Sequence, residues 1–328
     1  MNEFFFHLLF IIYLILFYKY RNKIGSYFKL IDFPDNMRKS HSLPIPSVGG
    51  LIIFPYIILS VVYIYILSII SFKILLLWIF LLSSFFFIGL IDDRINLNAK
   101  TKTFILIFIL FITLPLDESF VIKNLVFKDI DLAIVLNEAS LFFTIFCIYF
   151  FYNSLNFSDG YNGISISISL YFLIVIFLSK NEFNFLYYSI ILSLILILIP
   201  NIFSKIFIGN SGVSFLSIFL SILTIDFYNN GYIYFDEIIL IFFLPAIDAA
   251  RITIERIING RSPFESDKNH FHHLLSKITK EKYIFIFYLI FTMLPFLVAN
   301  LGVSSYLSLS LFIFLYFFVL FFLKKKNA

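Results

Sequence analysis

Long apolar runs separated by short polar segments dominate the chain from end to end. A bilayer core about 30 Å thick needs roughly 20 apolar residues in a helix, within a range of about 17 to 25. Eleven candidate spans are read at approximately 3–19, 48–70, 74–91, 103–117, 138–153, 163–179, 184–200, 212–228, 236–259, 283–300 and 303–323. The run near the N-terminus opens Met-Asn-Glu, and no small-residue cleavage site follows it, so it is read as a membrane helix and not as a removable leader. The expected fold class is therefore an all-α integral membrane protein of ten or eleven transmembrane helices, one polytopic domain over residues 1–328. Residues 118–137 form the longest non-cytoplasmic interruption, and alternation in their VIKNLVF stretch predicts a small hairpin without catalytic groups.

Composition narrows the class. Only 13% of the residues are charged and 61% are hydrophobic, against about 25% charged in a soluble domain, so water is not the main solvent. Cys147 is the only cysteine, which excludes an internal disulfide framework and a cysteine-based metal cage. The net charge of +4 is small and its basic residues are spread over loops, so nucleic acid is not an expected partner. All but four of the 24 Lys and Arg residues fall after alternate spans, and Lys73, Lys123, Lys128 and Lys180 are the exceptions. The positive-inside rule then predicts an outside N-terminus and an inside C-terminus.

A transporter shares all of these features, but transporters bind near the bilayer midplane with broken helices. Here the polar clusters sit at helix ends and loops on the predicted cytoplasmic side, which suits a surface site receiving a soluble substrate and a lipid. The segment DFPDNMRKSHSLPIPSVGG, residues 32–50, brings Arg38, Lys39 and His41 to that face as an anion-binding approach or a basic collar. Asp92 and Asp93 end one span, with Lys100 beyond. Carboxylates are costly in hydrocarbon, so the pair belongs at the interface with a partner, for which a divalent metal and acidic capping of the helix end are the two candidates. NSLNFSDGYNG, from Asn153 to Gly163, carries Asn156, Asp159 and Asn162. These groups suit a nucleotide base or sugar, and the glycines allow close approach.

GNSG at 209–212 opens a helix and reads either as a phosphate site or as a plain cap. Asp248, Arg251 and Glu255 share one helical face, and an internal salt bridge is the structural alternative to a functional role. If that helix starts near Asp236, Asp248 lies about 18 Å along it, inside the membrane. RSPFESDKNHFHH follows, with His270, His272 and His273. Two adjacent histidines without a thiol or an i, i+4 pair do not suit zinc, so phosphate or sugar recognition is preferred.

Taken in order, these segments resemble the polyprenyl-phosphate N-acetylhexosamine-1-phosphate transferase superfamily. The motifs are R-K-x-H-x-x-P-x-P-x-x-GG at Arg38–Gly50, the Asp92-Asp93 pair, N-x-x-N-x-x-DG at Asn153–Gly160, the turn at Gly209, and SPF-x-x-D-x-x-H-x-HH at Ser262–His273. The resemblance covers most of the chain, and the H-x-HH loop fits the N-acetylhexosamine branch better than the muramoyl-pentapeptide branch. It implies a helical bundle with a cytoplasmic cleft in a bacterial plasma membrane. It also implies a UDP-sugar donor, an undecaprenyl or other polyprenyl phosphate acceptor, and release of UMP with Mg2+ or Mn2+. The expected partners are those two substrates and the lipid bilayer, with a homodimer as the oligomer considered.

By the same resemblance Asp92 and Asp93 supply the lipid-phosphate base and the metal environment, with Asn210 as the third metal residue. Asn153, Asn156, Asp159 and Asn162 contact nucleotide or sugar. Arg256, His270, His272 and His273 hold pyrophosphate or sugar, and Arg38, Lys39 and Lys100 bind phosphate. The chain departs from the pattern twice: GD-x-GS becomes Gly209-Asn210-Ser211-Gly212-Val213, and DG-x-DG becomes Asp159-Gly160-Tyr161-Asn162-Gly163. Each change removes a carboxylate, so weaker metal binding is expected. A non-turnover lipid- or sugar-binding relative is the alternative.

Overall fold

A computed structural model describes residues 3–34, 43–130, 132–180, 185–265 and 268–325. The expected phosphate contacts Arg38 and Lys39, and His41 with them, lie outside the described residues. The described chain is helical apart from two short strand pairs and a few single 3-10 turns. Nine of its helices are long and apolar enough to cross a membrane, and Ile164–Ser179 is a shorter apolar helix. The chain divides into two compact units, residues 1–109 with 181–219 and residues 110–180 with 220–328.

The first unit holds α1 (Glu3–Phe28), α2 (Gly49–Ile66), α3 (Phe72–Ile95), most of α4 (Ala99–Thr113), α7 (Phe185–Ile202) and the first half of α8 (Gly209–Asn229). Helix α1 runs nine residues past the expected end at 19, because its Tyr, Lys and Arg residues continue a helix readily and no proline stops it. Strands β1 (Ile31–Asp32) and β2 (Ile45–Pro46) pair antiparallel, with Ile31 opposite Pro46. From β2 the backbone goes on to bond the segment before α8. Phe207 N–H donates to the Pro46 carbonyl, and Gly49 and Gly50 N–H donate to the carbonyls of Phe207 and Ile208, each at 2.9 Å. Glycine is needed here: a Cβ on Gly50 would lie 2.5 Å from Gly212 N, and one on Gly49 2.8 Å from Ile208 Cα.

In the second unit β3 (Asn124–Val126) and β4 (Ala133–Val135) form the expected hairpin. The Tyr228 hydroxyl serves as a surrogate strand along β3, accepting from Val126 N–H at 2.8 Å and donating to the Asn124 carbonyl at 2.7 Å. The helices are α5 (Ser140–Ser158), α6 (Ile164–Lys180), the rest of α8, α9 (Phe235–Ile241), α10 (Phe243–Ile258), α11 (Phe271–Ser276), α12 (Glu281–Asn300) and α13 (Ser305–Lys325).

The span expected at 236–259 is two helices, broken at Phe242. Pro245 is the cause: it has no N–H for the carbonyl four residues back, and its ring crowds that carbonyl. The count of helical rise from Asp236 to Asp248 therefore does not hold. Helix α10 packs on α5 and α12, which brings Asp248, Arg251 and Arg256 into the interior.

Candidate active site

The polar clusters read from the sequence fall into two groups, one in each unit. In the first unit the last turn of α3 carries Asp92 and Asp93. Asn96 then turns left-handed (φ 50°) and ends the helix. Asp92 is buried; its Oδ1 accepts Leu97 N–H at 2.8 Å and its Oδ2 accepts the Lys102 ammonium at 2.8 Å. The lysine that meets the acidic pair is thus Lys102. Lys100, the expected phosphate contact, is exposed, and its backbone N–H donates to Asn98.

Asp93 closes the start of α8, its Oδ1 accepting Asn210 N–H at 2.7 Å and its Oδ2 accepting Ser211 N–H at 3.0 Å. The helix N-terminus that the GNSG motif offered to a phosphate is therefore occupied by the protein's own carboxylate, as an acidic cap suits the positive end of a helix. Backbone contact makes this closure possible. A Cβ on Gly89 of α3 would lie 2.4 Å from the Asn210 carbonyl oxygen, and Gly209 adopts φ +74° against Asp93. Asp93 uses the backbone of residue 210 and not its side chain, so an asparagine there leaves the cap intact.

Each of the four carboxylate oxygens of Asp92 and Asp93 accepts one donor, and a carboxylate oxygen has two lone pairs. The pair therefore retains acceptor capacity for a cation. Magnesium asks for only one or two carboxylates when substrate phosphates complete its shell, so this donor set fits a metal that is shared with a phosphate-bearing substrate. A closed protein cage is a different matter: among the described residues no three His, Cys, Asp or Glu side chains gather to hold an ion.

In the second unit α5 ends in the Asn153–Gly163 segment. The Asn153 amide donates to the Tyr149 carbonyl of its own helix, and Asp159, the cap residue, accepts from the Ser165 hydroxyl through Oδ1. Asn156 accepts Asp159 N–H through its backbone, and Asn162 lies in the turn that precedes α6. His272 sits on this turn: a Cβ on Gly160 would be 2.2 Å from its Nε2, and Tyr161 meets the rings of His272 and His273 edge-on. Two motifs about 110 residues apart in sequence are thereby one surface.

The histidine loop is held from α10. The rings of His270 and His272 are parallel, 5.4 Å apart at 3°, and His273 adjoins His272 at 4.4 Å. Arg256 is 2% exposed; it lies over the Phe157 ring and donates to the Pro263 carbonyl at 2.7 Å, so part of its role is to hold the loop. His272 is fully buried and its Nδ1 has no hydrogen-bond partner. Burial first, and then the neighbouring His273 and His270, push its pKa well below the ordinary 6.5, with Asp248 opposing. Its ring is neutral at pH 7.

Sequence spacing missed Lys102, the break that brings α10 into place, and the pairing of Asp248 with His270 at 3.0 Å. Only the break had a visible signal, in Pro245.

Residues 74–228 match the family model described as glycosyl transferase family 4. That stretch includes the Asp92–Asp93 pair, the Asn153–Gly163 segment and the start of α8, while the histidine loop lies beyond it. The chain is 24% identical over 299 residues to the undecaprenyl-phosphate alpha-N-acetylglucosaminyl 1-phosphate transferase of Salmonella typhi, covering 86% of this chain and 78% of the relative. It is 28% identical over 269 residues to a protein described as a probable undecaprenyl-phosphate N-acetylglucosaminyl 1-phosphate transferase in Bacillus subtilis, covering 77% and 70%. A Thermotoga maritima transferase of the same name as the Salmonella protein is 26% identical over 276 residues, covering 79% and 77%.

Proposed function

We propose that this chain, whose residues 74–228 match the model of glycosyl transferase family 4, transfers an N-acetylhexosamine 1-phosphate from a UDP-sugar to undecaprenyl or another polyprenyl phosphate and releases UMP. The observation that carries the reading is the fixed Asp92–Asp93 pair, whose four oxygens are each held by a donor. A phosphate oxygen of the lipid attacks the β-phosphorus of the UDP-sugar, and the bond from that phosphorus to the bridging oxygen breaks as UMP leaves. Such a step needs positioning and charge compensation more than a covalent protein nucleophile.

Asp92 and Asp93 orient the entering groups and accept a proton from the lipid phosphate if it arrives protonated. Asn156, Asp159 and Asn162 hydrogen-bond the nucleotide or sugar, and His270 and His273 face the diphosphate. Mg2+, held by Asp92 and Asp93 with substrate phosphates, would neutralise the charge that develops on the leaving group. The site faces the cytoplasm of a bacterial plasma membrane in this reading, supported by the one-sided distribution of Lys and Arg.

Asn210 and Asn162, standing where the superfamily carries carboxylates, favour a second reading: a relative that binds lipid or nucleotide sugar without turnover. Purified protein given a panel of UDP-N-acetylhexosamines, undecaprenyl phosphate and Mg2+ separates the two. Lipid-linked sugar with stoichiometric UMP is expected. A folded protein that binds the substrates and gives no product with any sugar of the panel would leave the binding reading. Asn210→Asp should lower the Mg2+ concentration for half-maximal rate, and an unchanged Mg2+ requirement would place residue 210 off the metal.

A further inference from the structure

Asp248 has no part in the proposed chemistry, yet it anchors the histidine loop. It is buried on α10, and its Oδ2 lies 3.0 Å from His270 Nδ1 across 22 residues of chain. We infer that Asp248 is a positioning residue, which takes the Nδ1–H of His270 and so leaves Nε2 as the nitrogen offered to the phosphate-bearing substrate. The substrate in this inference rests on the transferase reading; the orientation of the ring rests on geometry alone.

Three features of the carboxylate support it. First, it is fixed before it meets the histidine. Arg251 Nη2 and the Tyr316 hydroxyl each donate to Oδ1 at 2.8 Å, and Phe271 N–H donates to both oxygens at 3.1 and 3.2 Å. Surrounded by donors, Asp248 acts as an acceptor, so the proton between it and His270 belongs to the ring.

Second, the charges close without the histidine. Asp248 pairs with Arg251, Arg251 with Glu255 at 2.9 Å, and Glu255 with Lys324 at 3.0 Å, an alternation of two negative and two positive groups. His270 is therefore not required as a counter-ion, and its hydrogen bond serves direction.

Third, the loop is gripped at three successive residues. The Asn269 carbonyl accepts from Arg251 at 2.8 Å, His270 Nδ1 lies 3.0 Å from Asp248 Oδ2, and Phe271 N–H donates to Asp248. Turning the ring over would break its contact with Asp248, while the backbone on either side stays held. It lies against Phe157 and parallel to His272, with its side chain 8% exposed.

Asp248→Asn is the direct test. The amide keeps an oxygen for Arg251, Tyr316 and Phe271, but its NH2 group donates where Oδ2 accepted, which drives the ring proton to Nε2. Loss of an orienting partner typically costs about 10- to 100-fold, and that loss is expected in kcat with KM for the UDP-sugar moved less than about threefold. If Asp248 acts through His270, Asp248→Asn/His270→Ala should be no slower than His270→Ala within about twofold. Multiplying losses would instead show a general structural role and overturn the inference.

The tautomer is read independently by 15N NMR of the histidine rings in detergent at neutral pH, with His270 assigned by its absence in His270→Ala. A proton on Nδ1 in the wild type, moving to Nε2 in Asp248→Asn, is the expected result. A wild-type ring protonated on Nε2 alone overturns the inference even if Asp248→Asn does not fold. If the wild type transfers no sugar phosphate, the transferase reading falls while the NMR still decides the orientation.

Discussion

Gly89→Ala should open the acidic site from behind. The added Cβ would stand 2.4 Å from the Asn210 carbonyl oxygen and 2.6 Å from Ser211 Cα, both backbone atoms that cannot rotate away. Ordinary contact begins near 3.4 Å, so the first turn of α8 must retreat by about 1 Å, the kind of backbone shift overpacking forces. Such a retreat would stretch the Asp93 bonds to Asn210 and Ser211, now 2.7 and 3.0 Å, beyond the range of a hydrogen bond.

Hydrogen bonds to a charged group contribute about 1.5–3 kcal/mol each. Partial relaxation keeps one of the two, so a loss of about 3 kcal/mol is expected once strain is added. Trp78, the only tryptophan, lies on the same helix against Phe219 and reports unfolding by fluorescence. Gly231→Ala is the comparison, since its methyl would meet nothing within 4 Å and carries only a left-handed backbone cost of about 1–2 kcal/mol. The reasoning is refuted if Gly89→Ala melts with the wild type, or no lower than Gly231→Ala, while keeping the wild-type Mg2+ dependence.

Two further predictions use the same preparation. Lys102→Met leaves the Asp92 carboxylate, 10% exposed, without its ammonium, and should cost up to about 3 kcal/mol with a loss of transfer, whereas Lys100→Met should stay within about 0.5 kcal/mol; equal effects in denaturation midpoints would contradict the assignment. The pH dependence comes from His272, whose folded pKa lies well below 6.5. Above about 6.5 both states are neutral. As pH falls below that value the unfolded state binds a proton that the folded state refuses, so stability drops by up to about 1.4 kcal/mol per unit until the folded pKa is reached. His272→Gln should flatten the slope between pH 6.5 and 5.5, and an unchanged slope would assign it to another group.

Hydropathy made most of the helices legible, and the alternation in VIKNLVF gave the β3–β4 hairpin. A long apolar window does not register where a helix breaks, so the span at 236–259 hid the step at Phe242 that Pro245 imposes. The glycines at 49, 50 and 212 read as loop and phosphate signals, and Gly89 is hidden in an apolar span. Structurally they are the places where α2, α3 and α8 touch backbone to backbone.

The acidic pair was legible as a site, but not its partner. The turn after Asn96 sets the phase of α4, and it brings Lys102 to Asp92. Asp248 and His270 were each visible, but a contact across 22 residues of chain leaves no periodic trace.

Tyr316 gives the chain a schedule. Its hydroxyl accepts from Arg251 at 2.7 Å and donates to Asp248 at 2.8 Å, and it lies on α13, the last of the described helices. While α10 and the histidine loop are being synthesised, the residue that completes their hydrogen bonds has not yet left the ribosome. The bond set that fixes the His270 ring is completed only once residue 316 has been made, whereas the Asp93 cap on α8 needs nothing beyond residue 211.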